Sequence, residues 1–264
     1  MQPKLSVVMP VWNRAYCIQD AVRSMIDQTF KDWELIVVDD GSNDSDLLVR
    51  KLQKFNDDRI KYNRIPHSGH ISRVRNTGNY RANSDIIVVH DSDDMAFPDR
   101  LEEIYKAFQE DNPDIVYHGM YHRIYDPQND AMARLIHKAQ PFSKDRLLHE
   151  QYIPGQIAYK TEIIRRFPYD ERIQVCDDWD MLIRLALNDC KFKMIDKQLY
   201  EYIEMLDSIN IRGEDDGRRA KDTKIIMDIL EKEHGIQATA QMNKHTLTAN
   251  FERDKLIKKA HIFK

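Results

Sequence analysis

Short apolar runs alternate with amphipathic segments along the first half of the chain. Segments of strand length occupy residues 5–9, 34–38, 59–64, 85–90 and 114–117, and the most apolar are typical of strands buried in a parallel sheet. Between them, apolar residues recur at helical spacing in segments 18–26, 47–55, 71–82 and 101–108. This alternation predicts an α/β fold of three layers, α/β/α, with a mainly parallel central sheet.

The alternation weakens after about His118. Segments 121–125 and 133–137 flank the turn-rich residues 126–130, and this arrangement predicts a hairpin. A helix is predicted from Asp177 or Asp178 to Asn188, followed by extended segments at 192–195 and 198–203. We therefore expect one domain over residues 1–211. A helical C-terminal extension is expected over 212–264, with a linker at 213–217 and polar helices near 220–233 and 246–260.

Composition narrows the class of protein. The 264 residues are 42% hydrophobic and 32% charged, which is typical of a soluble globular chain. The formal net charge of −4 gives no basic field that would recruit nucleic acid. No apolar run approaches the roughly 20 residues of a membrane span, and Leu5–Met9 is too short for a signal sequence, so we expect cytoplasmic residence. Cys17, Cys176 and Cys190 lack CxxC spacing, which predicts reduced thiols and no zinc site.

Three carboxylates follow the fourth predicted strand in the sequence Asp91-Ser92-Asp93-Asp94. Open α/β sheets bind their ligands at the carboxyl ends of the strands. Crowded carboxylates repel one another unless a cation holds them, and hard oxygen ligands suit Mg²⁺ or Mn²⁺ shared with substrate phosphates. The alternative is a capping cluster for the helix that Pro98 and Asp99 open just downstream.

The tips of the first two predicted strands should converge on the same crevice. The first strand ends in Pro10-Val11-Trp12-Asn13, and the second ends in Asp39-Asp40-Gly41-Ser42. A carboxylate there can accept the imide N–H of a pyrimidine base, and Trp12 offers an aromatic face for stacking. Taken alone, Asp-Gly-Ser favours an ordinary turn or helix cap, and a lone Trp is more often a core residue than a platform for a base.

These segments occur together with Arg75-Asn76-Thr77-Gly78, Pro98-Asp99-Arg100-Leu101 and Asp177-Asp178-Trp179-Asp180. In this order and spacing they resemble the inverting family 2 glycosyltransferases with the GT-A fold, from about Leu5 to Ser208. The resemblance implies a nucleotide-binding half over about 1–117 and an acceptor-binding half over about 118–211.

The resemblance also implies site residues. It gives a nucleotide-sugar pocket formed by Pro10, Val11, Trp12, Asn13, Asp40, Arg75, Asn76, Asp91 and Ser92. Mn²⁺ or Mg²⁺ would be bound by Asp93 directly, with Asp91 serving the ribose or a metal-bound water. Asp94 would cap or orient its neighbours. His70 either reaches a donor phosphate or is a surface residue with no role.

Asp178 matches the catalytic base of the family. An acceptor hydroxyl needs a base to attack at neutral pH, and a carboxylate can take its proton as the new bond forms. The competing interpretation is that Asp177, Asp178 and Asp180 are first-turn acids favoured by the helix dipole. We assign that interpretation to Asp177 and Asp180, because Asp180 also pairs in spacing with Arg184.

The chain departs from the family after this helix. Ile203 stands where an Arg is common, and Met205 stands where a metal-binding His is common. A thioether is a poor ligand for a hard cation, so either Asp93, diphosphate and water hold the metal, or Glu204 or Asp207 substitutes. Metal affinity without nucleotide is therefore expected to be weak.

The resemblance predicts transfer from a nucleotide-sugar donor, with UDP-sugars first, to a hydroxyl of a saccharide or other glycan acceptor. Gly155 and Gln156 would lie near the sugar or the acceptor. Two alternatives are a sugar-nucleotide-binding scaffold without activity, which Met205 favours, and a nucleotidyltransferase, which the lack of a Gly-rich phosphate loop disfavours. The tail interleaves lysines with apolar residues from Lys255 to Lys264 and predicts either a packed amphipathic helix or a contact with a membrane surface or partner.

Overall fold

A computed structural model of the chain describes residues 2–126, 131–204, 217–241 and 252. The strands are β1 (Leu5–Val11), β2 (Trp33–Asp39), β3 (Ile60–Arg64), β4 (Ile86–Val89), β5 (Met95–Ala96), β6 (Ile115–Asp126), β7 (Ala131–His137), β8 (Ala158–Lys160) and β9 (Phe192–Glu204). The helices are α1 (Ile18–Ile26), α2 (Ser45–Gln53), α3 (Ile71–Arg81), α4 (Arg100–Asp111), α5 (Lys144–His149), α6 (Thr161–Arg166), α7 (Asp177–Leu187) and α8 (Arg218–His234).

The strands form one sheet in the order β3-β2-β1-β4-β8-β6-β9-β5, with β7 paired to β6. Strands β3, β2, β1 and β4 are mutually parallel, as the sequence predicts. The second half adds antiparallel pairings of β8 with both β4 and β6, and β9 runs parallel to β6. The predicted α/β fold is confirmed, with its parallel strands concentrated in the N-terminal half and a mixed sheet beyond them.

The three layers follow from the burial of the central strands on both faces. Every residue of β1, β2 and β4 is buried. On one face, Val8 and Ile36 belong to a hydrophobic cluster that includes residues of α3, α6 and α7, and on the other, Val7 and Leu35 belong to a cluster that includes residues of α1, α2 and α4. Helix α3 approaches β1 so closely that a side chain at Gly78 would overlap Val8.

The second half was only partly predictable. Strands β6 and β7 pair antiparallel and confirm the expected hairpin. The two extended segments predicted after α7 are one continuous strand, β9, whose register against β6 shifts around Gly119. The short elements β5, β8, α5 and α6 were not predicted, because segments of two to six residues carry too little periodicity.

Helix α8 lies in the segment where the first helix of the C-terminal extension is predicted. It contributes Ile226 and Leu230 to the same core as α7. The buried Asp222 carboxylate accepts backbone N–H bonds from Gln174, Val175 and Cys176, which fixes the segment that leads into α7. The predicted linker residues 213–216, the helix predicted near 246–260, and Met205 and Asp207 lie outside the described residues. Among the described helices, none has the length and apolar character needed to cross a bilayer.

Candidate active site

A cavity of about 700 Å³ opens at the carboxyl ends of β1, β2 and β4 and extends past the first turn of α7. Most of the residues predicted for the site line it, namely Pro10, Val11, Trp12, Asp40, Arg75, Asp91, Ser92, Asp93 and Asp178. Residues drawn from distant parts of the sequence therefore share one crevice, at the place where parallel sheets bind ligands.

Asp40 anchors the loop between β3 and α3. Its buried carboxylate accepts hydrogen bonds from the backbone N–H groups of Ser68 and Gly69 at 2.7 and 3.0 Å, and from the Ser68 hydroxyl at 2.8 Å. The chain turns beside it at Gly41, whose φ of 66° and close approach to the His67 backbone exclude a side chain. Asp40 thus positions one wall of the cavity, and its oxygens border the pocket expected to hold a base.

Trp12 also lines this cavity. The residue is 38% exposed, and its indole stacks on the imidazole of His67, with ring centroids 4.9 Å apart and planes inclined by 14°. The Nδ1 atom of His67 lies 3.0 Å from the Asp40 carboxylate. An exposed aromatic face beside a carboxylate is the chemistry that recognises a planar base with N–H donors.

Asn13 and Asn76 do not line the cavity. Asn13 joins two loops, since its N–H donates to the Ser42 hydroxyl and its side chain accepts from the Asn43 N–H. The Asn76 amide is buried and makes both of its hydrogen bonds to the backbone of Tyr169, each 2.9 Å long. The ribose or phosphate contact expected for Asn76 is replaced in the structure by a contact that holds α3 against the segment before α7.

Arg75 connects the acidic motif to α7. Its buried guanidinium donates to Asp177 at 2.5 Å and to Asp91 at 3.2 Å. Burial raises the pKa of the Asp177 carboxyl to about 7, and the Arg75 charge opposes that rise. Asp177 is therefore an ion-pair partner of Arg75 in addition to the first-turn acid that the sequence predicts.

Asp93 faces the cavity beside Arg14. The Arg14 Nε atom lies 3.3 Å from Asp93 Oδ2, and the Asp93 side chain is 23% exposed. Burial and the neighbouring Asp91 charge raise the pKa of the Asp93 carboxyl, and Arg14 opposes that rise. The carboxylate expected to bind metal thus already has one cationic neighbour.

Asp94 is fully buried at the wall of the cavity. It accepts a hydrogen bond from the Ile203 N–H at 2.8 Å and another from the Gln156 amide. Burial, followed by the Asp93 and Asp91 charges, raises its pKa well above the ordinary value. This agrees with the expectation that Asp94 orients the motif, and it links the motif to β9.

A fully buried arginine supports Asp94 from behind. Arg100 donates to the Gln156 side chain at 3.2 Å and to the backbone oxygens of Val89 and Gln156 at 2.9 and 3.0 Å. It also donates to Nε2 of His118 at 3.2 Å, and its Nη1 atom lies 3.0 Å from His90 Nδ1, which is itself 3.0 Å from Gln156 Oε1. Burial lowers the pKa of both histidines to about 3, with the Arg100 charge acting in the same direction, so both are neutral.

Asp178 lies at the start of α7 and is held by two donors. Its Oδ2 accepts from the Gln151 amide at 2.9 Å, and its Oδ1 accepts from the Trp179 N–H at 2.8 Å. Gly155 lies against the carboxylate so closely that any side chain there would overlap it. Burial raises the pKa of the Asp178 carboxyl, and the Arg75 charge opposes that rise. A fixed carboxylate with raised basicity has the properties of a general base.

The carboxylates of Asp91 and Asp93 bring hard oxygen donors to the cavity, with side chains 29% and 23% exposed. Within the described ranges, no three His, Cys, Asp or Glu side chains gather as a ready metal cage. Glu204, one of the expected substitutes, instead lies 2.7 Å from His122 Nε2. The residues therefore fit a Mg²⁺ or Mn²⁺ ion that is shared with a diphosphate, a common arrangement for Mg²⁺ in proteins.

Comparison of the sequence with known proteins identifies the family of this chain. The sequence profile described as "Glycosyl transferase family 2" matches residues 6–173. The chain belongs to glycosyl transferase family 2. It is 29% identical over 167 residues to the poly(ribitol-phosphate) beta-N-acetylglucosaminyltransferase TarP of Staphylococcus aureus, covering 62% of this chain and 48% of TarP. It is 25% identical over 190 residues to the putative colanic acid biosynthesis glycosyl transferase WcaA of Escherichia coli, covering 70% of this chain and 67% of WcaA.

Solved structures share the fold of this family 2 glycosyltransferase. Residues 1–349 of S. aureus TarS, in complex with UDP-GlcNAc, superpose with a TM-score of 0.66 at 18% identity, covering 87% of this chain and 67% of that one. The mannosyltransferase PcManGT of Pyrobaculum calidifontis, in complex with GDP-Man and Mn²⁺, gives a TM-score of 0.63 at 16% identity, covering 86% and 64%. The predicted GT-A fold is confirmed. The chain spans less than half of TarP.

Sequence reasoning gave no contact in the site to Arg14, Gln151, Arg100 or Asp177. Arg14 contacts Asp93 and Gln151 contacts Asp178, whereas Arg100 contacts Gln156 and Asp177 contacts Arg75. Gln151 lies 27 positions from its partner and falls in an irregular segment with no periodic signal. Arg14 is the one of the four whose position in the sequence could have indicated a role in the site, because it directly follows the segment at the end of β1 that is predicted to bind a base.

Proposed function

We propose that this family 2 glycosyltransferase moves a hexosyl or N-acetylhexosaminyl group from a UDP-sugar to a hydroxyl of a glycan acceptor, with inversion and with Mg²⁺ or Mn²⁺. The observation that carries the proposal is that Asp178 shares one cavity with Asp91, Asp93 and the Trp12–Asp40 pocket. One end of the cavity has the chemistry to bind a nucleoside diphosphate, and the other has a base.

Asp178 performs the proton transfer in the proposed reaction. Its carboxylate accepts the proton of the acceptor hydroxyl while the acceptor oxygen forms a bond to the anomeric carbon. The bond from that carbon to the diphosphate breaks, and its electron pair leaves on the phosphate oxygen. Attack from the face opposite the leaving group inverts the anomeric centre. The hydrogen bonds from Gln151 and the Trp179 N–H fix the carboxylate in advance, so it needs no reorganisation during the reaction.

The leaving diphosphate gains negative charge as its bond breaks. A divalent ion, when bound, supplies Lewis-acid neutralisation of that charge. In this chain Asp93 would hold the ion directly, with Asp91 beside it. Arg75 keeps Asp91 in position from the buried side and aligns it with α7 through Asp177.

The donor is proposed to carry uridine. An aromatic face at Trp12 and a carboxylate at Asp40 suit a pyrimidine with an imide N–H, and the structural neighbour TarS was solved with UDP-GlcNAc and with UDP. PcManGT was solved with GDP-Man, so guanosine is the competitor to test. For the acceptor, the name of TarP refers to poly(ribitol-phosphate) and that of WcaA to colanic acid biosynthesis, which supports a hydroxyl-bearing polymer.

Two measurements test the proposal. Calorimetric titration of UDP, GDP, dTDP and CMP with and without Mn²⁺ should show Mn²⁺-dependent binding of UDP. Donor turnover with glycan acceptors should be lost in Asp178→Asn, while UDP affinity is retained. Asp189→Asn is the matched control, because Asp189 follows the same helix and its side chain is 90% exposed. Unchanged turnover in Asp178→Asn would refute the base, and a folded protein that binds no nucleotide would refute the transferase.

A further inference from the structure

Arg14 pairs with Asp93, the carboxylate expected to bind metal. The Arg14 side chain lines the cavity and is only 12% exposed. Its Nε atom approaches Asp93 Oδ2 at 3.3 Å. The pairing brings together the loop after β1 and the loop after β4, which are 79 positions apart in sequence.

The backbone that carries Arg14 is fixed on both sides. Before it, Asn13 has a left-handed φ of 52°, which turns the chain toward the sheet edge, and its N–H donates to Ser42. After it, the Ala15 N–H donates to the Asp44 carboxylate at 3.0 Å. The Cys17 thiol lies 3.8 Å from the Ser92 carbonyl oxygen, which ties the start of α1 to the acidic motif. Arg14 is thus held beside Asp93 by the fold rather than by a chance surface contact.

The charge of Arg14 has a consequence for metal binding. The Asp91 charge repels that of Asp93, and Arg14, 3.3 Å from Asp93, supplies the positive charge that offsets this repulsion when no metal ion is present. A divalent ion at Asp93 must share that carboxylate with the guanidinium or displace it, since two cations within a few ångströms repel. A displaced guanidinium remains in the cavity, where a diphosphate offers oxygen acceptors matched to its fork of N–H donors.

We propose that Arg14 is the counter-ion of Asp93 in the metal-free enzyme and becomes a diphosphate-binding residue when the metal arrives. This inference rests on the proposed function. Arg14 then couples the two ligands: it opposes metal binding alone and favours metal and nucleoside diphosphate binding together. By linkage, each ligand strengthens the other by the same factor.

The test uses the full-length protein and Mn²⁺ alone, with free Mn²⁺ followed by electron paramagnetic resonance. Arg14→Gln removes the charge and keeps a polar side chain, and Arg14→Lys keeps the charge. We expect Arg14→Gln to bind Mn²⁺ about five- to tenfold more tightly than the unmodified protein, the effect of deleting one partly buried competing cation. Arg14→Lys should stay within about twofold. Arg172→Gln is the control, since Arg172 is 65% exposed and pairs with Asp170 outside the cavity.

A second titration adds UDP at saturating Mn²⁺. Arg14→Gln should bind UDP about tenfold more weakly, consistent with the loss of a charge-assisted contact to phosphate. Unchanged or weaker Mn²⁺ binding in Arg14→Gln, with a normal thermal melt, would overturn the inference, because a residue that merely supports Asp93 would lower metal affinity when removed. Failure of the proposed function is a different result, in which the unmodified protein binds neither Mn²⁺ with UDP nor UDP alone.

Discussion

The Nη1 atom of Arg75 lies 2.5 Å from the carboxylate of Asp177, in a buried contact between α3 and the first turn of α7. The same guanidinium reaches Asp91 at 3.2 Å. One side chain thereby sets the relative position of the acidic motif and the helix that carries the proposed base. Its neighbour Asn76 fixes α3 to the backbone before α7 by a second route, through Tyr169.

Arg75→Gln should destabilise the protein and remove the contact that joins Asp91 to Asp177. Removing one partner of a buried ion pair leaves an uncompensated charge, which typically costs about 3–5 kcal/mol of unfolding free energy. Urea denaturation should therefore show a lower midpoint with an unchanged slope. Arg73→Gln is the matched control, because Arg73 lies on the same helix and is exposed. A loss below about 1 kcal/mol in Arg75→Gln would contradict the assigned role.

The pH dependence of kcat/KM should report the basicity of Asp178. A general base acts when deprotonated, so activity is lost as the pH falls through its pKa. Because burial raises the pKa of this carboxyl, the acid limb should lie at a higher pH than the roughly 3.9 of an ordinary Asp. The profile is measured on the initial rate of UDP release, with circular dichroism confirming that the protein stays folded. An acid limb at or below the ordinary value would count against this assignment.

Gly155→Ala should impair catalysis with little effect on stability. The added methyl group would overlap the Asp178 carboxylate, which must then leave its hydrogen bonds to Gln151 and Trp179. We expect kcat to fall at least about tenfold while UDP affinity changes less than twofold, because displacing a positioned catalytic group raises the barrier more than it weakens donor binding.

Gly78→Ala provides the contrast. Its methyl group would meet Val8 in the core, where overpacking typically costs about 1–3 kcal/mol of unfolding free energy. Gly155→Ala should therefore lower kcat, whereas Gly78→Ala should lower the free energy of unfolding. Equal losses of kcat at equal losses of stability in both variants would show that Gly155 has no specific relation to Asp178.

Trp12→Ala should weaken nucleotide binding. Stacking of a base on an aromatic side chain contributes about 1–3 kcal/mol, which corresponds to roughly five- to a hundredfold in the affinity for UDP. Trp12→Phe retains an aromatic face and should lose much less. Since the indole already contacts His67 at a centroid distance of 4.9 Å, UDP should also change its fluorescence. Equal affinities for all three proteins would remove Trp12 from the pocket.

The parallel half of the fold was predictable because local patterns encode it. The strands β1, β2 and β4 are continuous apolar runs buried on both faces, and the polar residues that follow them must meet at one sheet edge. Trp12, Asp40 and Asp93 share a cavity for that reason. The role of Asp178 itself came from family resemblance rather than from pattern.

The supporting contacts were not predictable, because their partners are far apart in sequence. Arg100 has the context of an ordinary first-turn residue of α4, and only the folded chain brings it to Gln156, 56 positions away. For Asn76, the motif predicts a ligand contact. In the folded chain its amide is instead hydrogen-bonded to the backbone of Tyr169, 93 positions away. Helix α8 has a weakly amphipathic sequence, and its place in the core depends on two side chains, Ile226 and Leu230.

The buried histidines behind the acidic motif should make stability depend on pH. His118 accepts a hydrogen bond from Arg100 at Nε2, and its Nδ1 lies 2.9 Å from the Gly119 carbonyl oxygen, which fixes the neutral tautomer. Burial lowers its folded-state pKa to about 3, whereas the unfolded chain binds a proton below about pH 6.5. Protonation of His118 therefore favours unfolding. The stabilising contribution of the neutral imidazole is complete above pH 6.5 and is lost as the pH falls toward 3.

His118→Gln removes this proton uptake and keeps an acceptor for Arg100. Between pH 6 and pH 5, its unfolding free energy should fall less steeply than that of the unmodified protein, by up to about 1.4 kcal/mol per pH unit. The two proteins are compared by urea denaturation at each pH. Buried carboxyls such as Asp94 change the unfolding free energy in the opposite direction as the pH falls, but both proteins contain them, so their contribution cancels in the comparison. His234→Gln, on the exposed end of α8, should leave the slope unchanged. Identical slopes for His118→Gln and the unmodified protein would mean that His118 already binds a proton in the folded state, and the neutral network around Arg100 would have to be abandoned.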